Sequence, residues 1–220
     1  MTDYLTLKRA IGDVAFAWWA GLARPDKDGA WTAEADRASF AKLRRLGSLA
    51  ESDLNEAIIS ALAEPAFFGR TQVGLGLLNR IAAIEGLARP DRARERAMID
   101  LAPRVLVAAI VLADIRKNSR ALRVGKELRE AQSGEDGVRD SARARFLRLL
   151  RTDDPQDLLP QARRLSKVLD RKAPVGALGA SLILWTDAAL GRPIRKEWAI
   201  DFFSPSLRDQ SESTQSEGTL

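Results

Sequence analysis

The chain contains no cysteine and no histidine. Structural zinc sites of the thiolate or imidazole kind are therefore excluded. So are Ser-His-Asp and Cys-His constellations, and the proton carrier best matched to neutral pH is missing. Any catalysis would rest on carboxylates, lysine or a carboxylate-held metal. Long apolar runs are scarce as well. The longest, Val105 to Ala113, has nine residues. A membrane-spanning helix needs about 20, so this run reads as a buried helix. Met1-Thr-Asp-Tyr4 shows no basic stretch leading into an apolar core. No secretory signal is expected, and the expected location is the cytoplasm.

What is present in quantity is apolar and basic. Hydrophobic residues make up 45% of the 220, enough for one real core or two small lobes. The net charge of +5 is unevenly placed. Residues 1–60 carry eight basic and nine acidic side chains, whereas residues 116–151 carry eleven basic and five acidic ones. A basic second half on a neutral first half points to an anionic partner for one face. The competing interpretation is that arginine is simply abundant and solubilises the surface.

Helix punctuation is frequent and strand patterns are rare. A first helix is expected from about Thr6 to Ala23, with Ile11, Val14, Ala15, Trp18 and Leu22 on one stripe, broken by Pro25-Asp-Lys-Asp-Gly29. Thr32 is placed to cap a second helix that ends at Gly47. Ser48-Leu-Ala-Glu51 has capping-box spacing and opens a short third one. Pro65 starts the next segment, and Gly69, Gly74 and Gly76 weaken helicity to about residue 80. Ala88-Arg-Pro-Asp91 is a connector. Pro103 suits the first turn of a buried helix reaching about Ile115. Arg116-Lys-Asn-Ser119 is a basic break, followed by a helix from Arg120 to Ala131 and a loop over Gln132–Gly137. Val138 to Arg151 is a helix with Phe146, Leu147, Leu149 and Leu150 on one side and Arg145, Arg148 and Arg151 opposite. Asp154-Pro155 opens a helix to about Leu169, kinked at Pro160. Pro174 opens another with Val175, Leu178, Leu182 and Trp185 at helical spacing, and Gly191 with Pro193 divides it from the last. The reading is an all-α bundle of about eight or nine helices over residues 1–203, with a division into lobes 1–100 and 101–203 as an option. Residues 204–220, rich in Ser, Gln, Glu and Thr, read as a disordered polar tail.

Motifs with chemical meaning are few. Gly125-Lys126 resembles the end of a phosphate-binding loop, but Arg120 stands where its first glycine belongs and Glu127 where Ser or Thr belongs. Gly74-Leu-Gly76 lacks the third glycine of a dinucleotide fingerprint. Asp153-Asp154 is explained by helix capping. Trp18, Trp185 and Trp198 lie on apolar stripes and read as core; Trp19 and Trp31 are less defined. Arg116, Arg120 and Arg123 stand at i, i+4 and i+7, a spacing that places them on one helical face, and Arg163 and Arg164 are adjacent. Such rows can track a phosphate backbone through charge and forked hydrogen bonds without reading bases.

Taken in order, several pieces resemble the CasB family, the small subunit of the type I-E CRISPR Cascade complex. They are Trp18-Trp19 with Leu22, Arg37-Ala38 with Leu43-Arg-Arg-Leu46, Pro65-Ala-Phe67, the apolar helix 105–113, and Leu122 to Leu128 around Gly125. Arg145-Phe146 with Leu149-Leu150, Gln161 to Leu165, Leu182 to Trp185 and Arg195-Lys-Glu-Trp-Ala-Ile-Asp-Phe-Phe203 complete the set. The similarity runs from about Ile11 to Phe203. It implies a non-catalytic helical subunit with no cofactor and no metal. Its implied partners are the crRNA-bearing backbone subunits, the large subunit, a second copy of itself, the crRNA, and target DNA including the displaced strand. Where the motifs align, it implies nucleic-acid contacts for Arg44, Arg45, Arg116, Lys117, Lys126, Arg143, Arg151, Arg163, Arg164 and Arg195. Pro160 and the stretch from Gly74 to Arg96 depart from the family pattern. Two other classes compete: a protein–protein adaptor without nucleic-acid contact, and a carboxylate-metal enzyme, for which the Glu-x-x-His pattern cannot occur.

Overall fold

The computed structural model describes residues 4–22, 24–25, 31–32, 37–69, 76–84, 92–120, 123–131 and 136–204. The fold is all-α. Its centre is the helix α6 in chain order (Arg92–Asp114), in which every residue from Val105 to Ala113 is fully buried. Around it pack α2 (Arg37–Ser52), α3 (Leu54–Leu62), α5 (Leu77–Ile84), α9 (Pro155–Val168) and α10 (Val175–Trp185). α1 (Tyr4–Leu22) lies across α10 and α5, α4 (Pro65–Phe68) beside α3 and α5, and α8 (Asp136–Leu150) against α9. α11 (Gly191–Phe203) packs on α10 and on α7 (Val124–Ala131). Eleven helices are thus seen among the described residues.

The tryptophans locate the core. Trp185 and Trp198 meet edge to face at 4.9 Å, and both are buried. Each indole N–H has an acceptor: Trp185 donates to Thr152 O and Trp198 to Ser181 Oγ, both at 3.1 Å. Trp18 donates to Ala66 O at 2.6 Å. A satisfied indole N–H removes the desolvation cost of burying an aromatic of this size, a cost retained by the Nε1 of Trp19, which is buried and without a partner among the described residues. Trp19 is also fully buried, whereas the side chain of Trp31 lies outside the described residues. The N-terminal end of α1 is tied to α11 by Glu197, which accepts from Lys8 Nζ at 2.5 and 2.6 Å and from Tyr4 Oη at 3.2 Å. Burial, then the Glu197 charge and its hydrogen bond, push the Tyr4 hydroxyl well above the usual phenol range.

Several sequence expectations need correction. α2 continues through Gly47 and Ser48 to Ser52. Gly47 is not a helix stop but the place where α2 approaches its neighbours: a Cβ there would meet Ile110 Cγ2 at 2.9 Å and Arg163 Nη1 at 3.1 Å. The cap of α3 is Asp53, whose carboxylate accepts from Glu56 N–H at 3.0 Å. Thr32 lies in a short strand, and α2 is described from Arg37. Pro103 lies inside α6, not at its start. A proline removes one hydrogen bond, and burial along both flanks outweighs that loss here. The segment from Arg120 to Ala131 is helical only from Val124, so Arg116, Arg120 and Arg123 form no helical row. Leu147 is exposed, unlike Phe146 and Leu149. Asp154 caps α9 as expected, accepting from Gln156 N–H at 2.7 Å. The connector 88–91, Gly74 and residues 205–220 lie outside the described residues.

Four two-residue strands form one small sheet in the order β1 (Arg24–Pro25), β2 (Trp31–Thr32), β3 (Lys117–Asn118) and β4 (Lys172–Ala173). The first two pairings are antiparallel and β3–β4 is parallel. β3 follows α6 directly and β4 follows α9, so the sheet fastens the ends of those two helices together.

Arg163 braces the same end. From α9 its Nη1 reaches Glu51 on α2 at 2.7 Å and its Nε reaches Asp114 on α6 at 3.2 Å. Burial works against its charge, but hydrogen bonds to Asp114 and Glu51, and the charges of both carboxylates, outweigh it and raise its pKa. Replacing it strands the half-buried Asp114. Arg163→Met is expected to lose about 1–3 kcal/mol of stability in urea unfolding, whereas Arg164→Met, on an exposed position of the same helix, should change it by less than about 0.5 kcal/mol.

Candidate nucleic-acid interface

The C-terminal end of α6 gathers cations from four directions. Arg44 on α2 donates from Nη1 to Ala113 O at 3.3 Å. A helix C-terminus presents unsatisfied carbonyls and partial negative charge, so a guanidinium is stabilised there. Arg116 and Lys117 follow the helix on exposed positions. Their backbone N–H groups both donate to Arg171 O, at 2.7 and 3.2 Å. The parallel register then sets Lys117 opposite Lys172, and Ser119 N–H donates to Ala173 O at 2.9 Å. Two cations are thus set opposite one another across a strand pair, with the Glu127 carboxylate close enough to act on Lys172.

The turn that delivers Arg171 and Lys172 is itself strained. Asp170 and Arg171 both have positive φ, at 47° and 57°. Asp tolerates the left-handed region, but an arginine there costs roughly 1–2 kcal/mol. The conformation persists because Arg171 N–H donates to Ser166 O at 2.8 Å while its carbonyl accepts from the N–H groups of Arg116 and Lys117. Strain of this kind collects where position matters more than stability.

Glu127 on α7 also lies within electrostatic reach of this cluster, through Lys172. It accepts from Ser119 Oγ at 3.1 Å. Partial burial raises its pKa, while the Ser119 hydrogen bond and the Lys172 charge pull it back without cancelling the rise.

The ten basic positions chosen from the sequence do not form one surface. Arg44, Arg116 and Lys117 meet at the end of α6, with Arg163 beside them but turned inward on Asp114 and Glu51. Arg195 is also turned inward, donating to Thr152 O at 3.1 Å and Trp185 O at 3.4 Å. Arg143 lies 5.5 Å from the centre of the Phe203 ring, at the end of α11. Lys126 is exposed, 3.8 Å from Glu130. Arg45, Arg151 and Arg164 are exposed, the last with Nη1 3.4 Å from Gln161 Oε1. Arg171 and Lys172 escaped the sequence reading. The adjacent Arg-Lys pair was visible, but its pairing with residues 117–118, far off in sequence, was not.

No helix among the described residues is long and apolar enough to cross a membrane. The class defined so far is an all-helical protein with a dense cation cluster at one end of its central helix. More specifically, the chain belongs to the family of CRISPR-associated protein Cse2, whose sequence profile matches residues 39–203. That family is the small subunit of the type I-E Cascade complex, also called CasB, so the chain is a structural subunit that assembles with other Cascade subunits. No curated protein and no solved structure gives a significant match.

Two outcomes follow from the site. Arg171→Gly removes the left-handed penalty and is expected to raise stability by up to about 1 kcal/mol in urea unfolding. Glu127 has a folded pKa above its unfolded one, so its contribution to stability declines as pH rises from the ordinary glutamate range through the raised value. Glu127→Gln should therefore raise the thermal midpoint at pH about 7 and leave it unchanged below pH about 4, where the glutamate is protonated in both states.

Proposed function

We propose that this Cascade subunit holds a DNA strand by its phosphates at the cluster on the end of α6, and so stabilises the opened target duplex. The observation that carries this reading is the Lys117–Lys172 register. Arg116, Lys117, Arg171 and Lys172 are brought together by that register into one cluster of positive charge, which suits a polyanion laid across it. Arg116 and the Arg171–Lys172 turn supply the forked and point-charge donors that a phosphate backbone takes. Among the described residues, no helix on this face presents side chains suited to reading base edges, which agrees with sequence selection by the guide alone. The displaced strand is the fitting occupant, since a flexible single strand follows a curved row of cations.

The crRNA-bearing backbone subunits, the large subunit and a second copy of this chain are the partners the family reading proposes for the remaining surface. The end of α11 favours a protein contact. Ile200, Phe203 and Leu147 are exposed there, with Arg143 against the Phe203 ring, a mixture typical of subunit interfaces. Catalysis has no part in this proposal, and neither do a cofactor or a metal. The cytoplasm is the compartment where the complex would meet invading DNA.

The test is salt-dependent binding of single-stranded DNA to the full chain. Log affinity should fall linearly with log salt. Arg116→Ala with Lys172→Ala should reduce the magnitude of that slope by about 1.4, at ~0.7 per phosphate contact on a single strand, with unchanged helicity. In the assembled complex the same double variant should shorten R-loop lifetime. An unchanged slope and lifetime in the folded variant would remove these residues from the interface and leave the adaptor reading in front.

A further inference from the structure

A groove of about 490 Å³ lies between α1 and the first turns of α10, closed on one side by residues 118–120. It exists because the two helices touch backbone to backbone at one crossing. A Cβ on Gly176 would lie 2.9 Å from Gly12 O, and one on Gly12 would lie 3.1 Å from Gly176 O. Beside that crossing the groove has an apolar floor and flank of Phe16, Pro174, Ala177 and Leu5, and Leu5 is 64% exposed. Its volume falls in the range of about 300–1,000 Å³ that small-molecule sites occupy.

The rim is polar in a particular way. Arg9 and Arg120 are exposed on it, together with the carboxylate of Asp13. Lys8 also lines the groove but is committed to Glu197. Asn118 Oδ1 accepts from Val175 N–H at 3.0 Å. That bond fixes the orientation of the amide and leaves its Nδ2 as a donor. An apolar slot with a carboxylate, an amide and two guanidiniums at its edge matches a flat ring with polar edges joined to an anion. The rim also continues directly into the cation cluster. Asn118, Ser119 and Arg120 line the groove, and Arg116 and Lys117 begin the same five-residue segment.

We propose that the groove takes one unstacked nucleobase of a single strand, with the adjoining phosphates on Arg120 and Arg9 and the rest of the backbone on the cluster at the end of α6. The proposal rests on the strand-holding reading above. An extruded base would anchor the strand against sliding, which phosphate contacts alone do not do. The ring faces would be covered by Phe16, Pro174 and Ala177, and the base edge would meet Asp13 and Asn118. Those two edge groups favour an exocyclic amine or a ring carbonyl without demanding one base.

The test compares two oligonucleotides of equal length on the full chain at low salt, an oligodeoxycytidylate and a wholly abasic strand. The abasic strand should bind about ten-fold more weakly, in keeping with the stacking of one base, with the same salt slope. Ala177→Trp fills the groove. It should bring the oligodeoxycytidylate down to the abasic level and leave the abasic strand unaffected. If that variant loses helicity, Leu5→Asp serves instead, since it adds a carboxylate at an exposed lip without crowding the core. Equal binding of both strands by the natural sequence would overturn the base site and leave the phosphate interface standing. Failure of both strands to bind would overturn both. A groove variant that keeps its preference for the base-bearing strand but drops out of the co-purified complex would assign the groove to an acidic peptide of a partner subunit, and would also overturn the proposal.

Discussion

From Leu101 to Ile115 the central helix offers solvent little beyond parts of Pro103, Arg104 and Asp114, so it must be wrapped on every side to remain dry. A helix that is apolar all round has no preferred face. Its neighbours therefore supply the asymmetry, with α2, α3, α5, α9 and α10 each covering part of its circumference. The polar exceptions are spent at defined points. Arg104 pairs with Asp187 at 3.0 Å, and Asp114 pairs with Arg163. Between Val105 and Ala113 there is no room for charge, so on this side it gathers where the helix ends.

That constraint separates the arginines into two populations by what they can reach. Those a turn or two inside the bundle, such as Arg163 and Arg195, find carboxylates or carbonyls and become part of the scaffold. Those thrown outward by the short strands have no such role in the fold. Arg123 stands between the two. It is largely exposed, yet it bonds Asp201 at 2.8 Å, and that hydrogen bond and the Asp201 charge raise its pKa. Its partner is one of the few buried charges, so Arg123 serves the fold by satisfying the Asp201 carboxylate while keeping its own stem in solvent.

Much of the helical framework was legible because local rules and tertiary packing agree along it. The Asp154-Pro155 start, the proline-led α4 and the stripe of α1 all follow from capping and period. The errors share one cause. Gly47 and Pro103 carry strong local signals for a stop or a start, and both were overridden by burial against α6, which only the assembled fold supplies. The site was legible in composition but not in geometry. A basic segment at 116–120 was plain, whereas its partner at 171–172 joins it through a parallel strand pair that no period in the sequence announces. The arginine spacing at 116, 120 and 123 was misleading for the same reason, since the helix it presumes begins only at Val124.

The first helix lies outside the stretch that matches the family profile, which begins at residue 39. Yet α1 is seated directly on α10, whose residues from Leu178 to Trp185 are all buried. The stretch of this chain that the profile matches is therefore shorter than the stretch that packs together in the fold. A fragment cut at the alignment boundary would display a greasy helix in place of a covered one. In a cell it would behave as a client for chaperones and proteases, however well it scored as a member of its family.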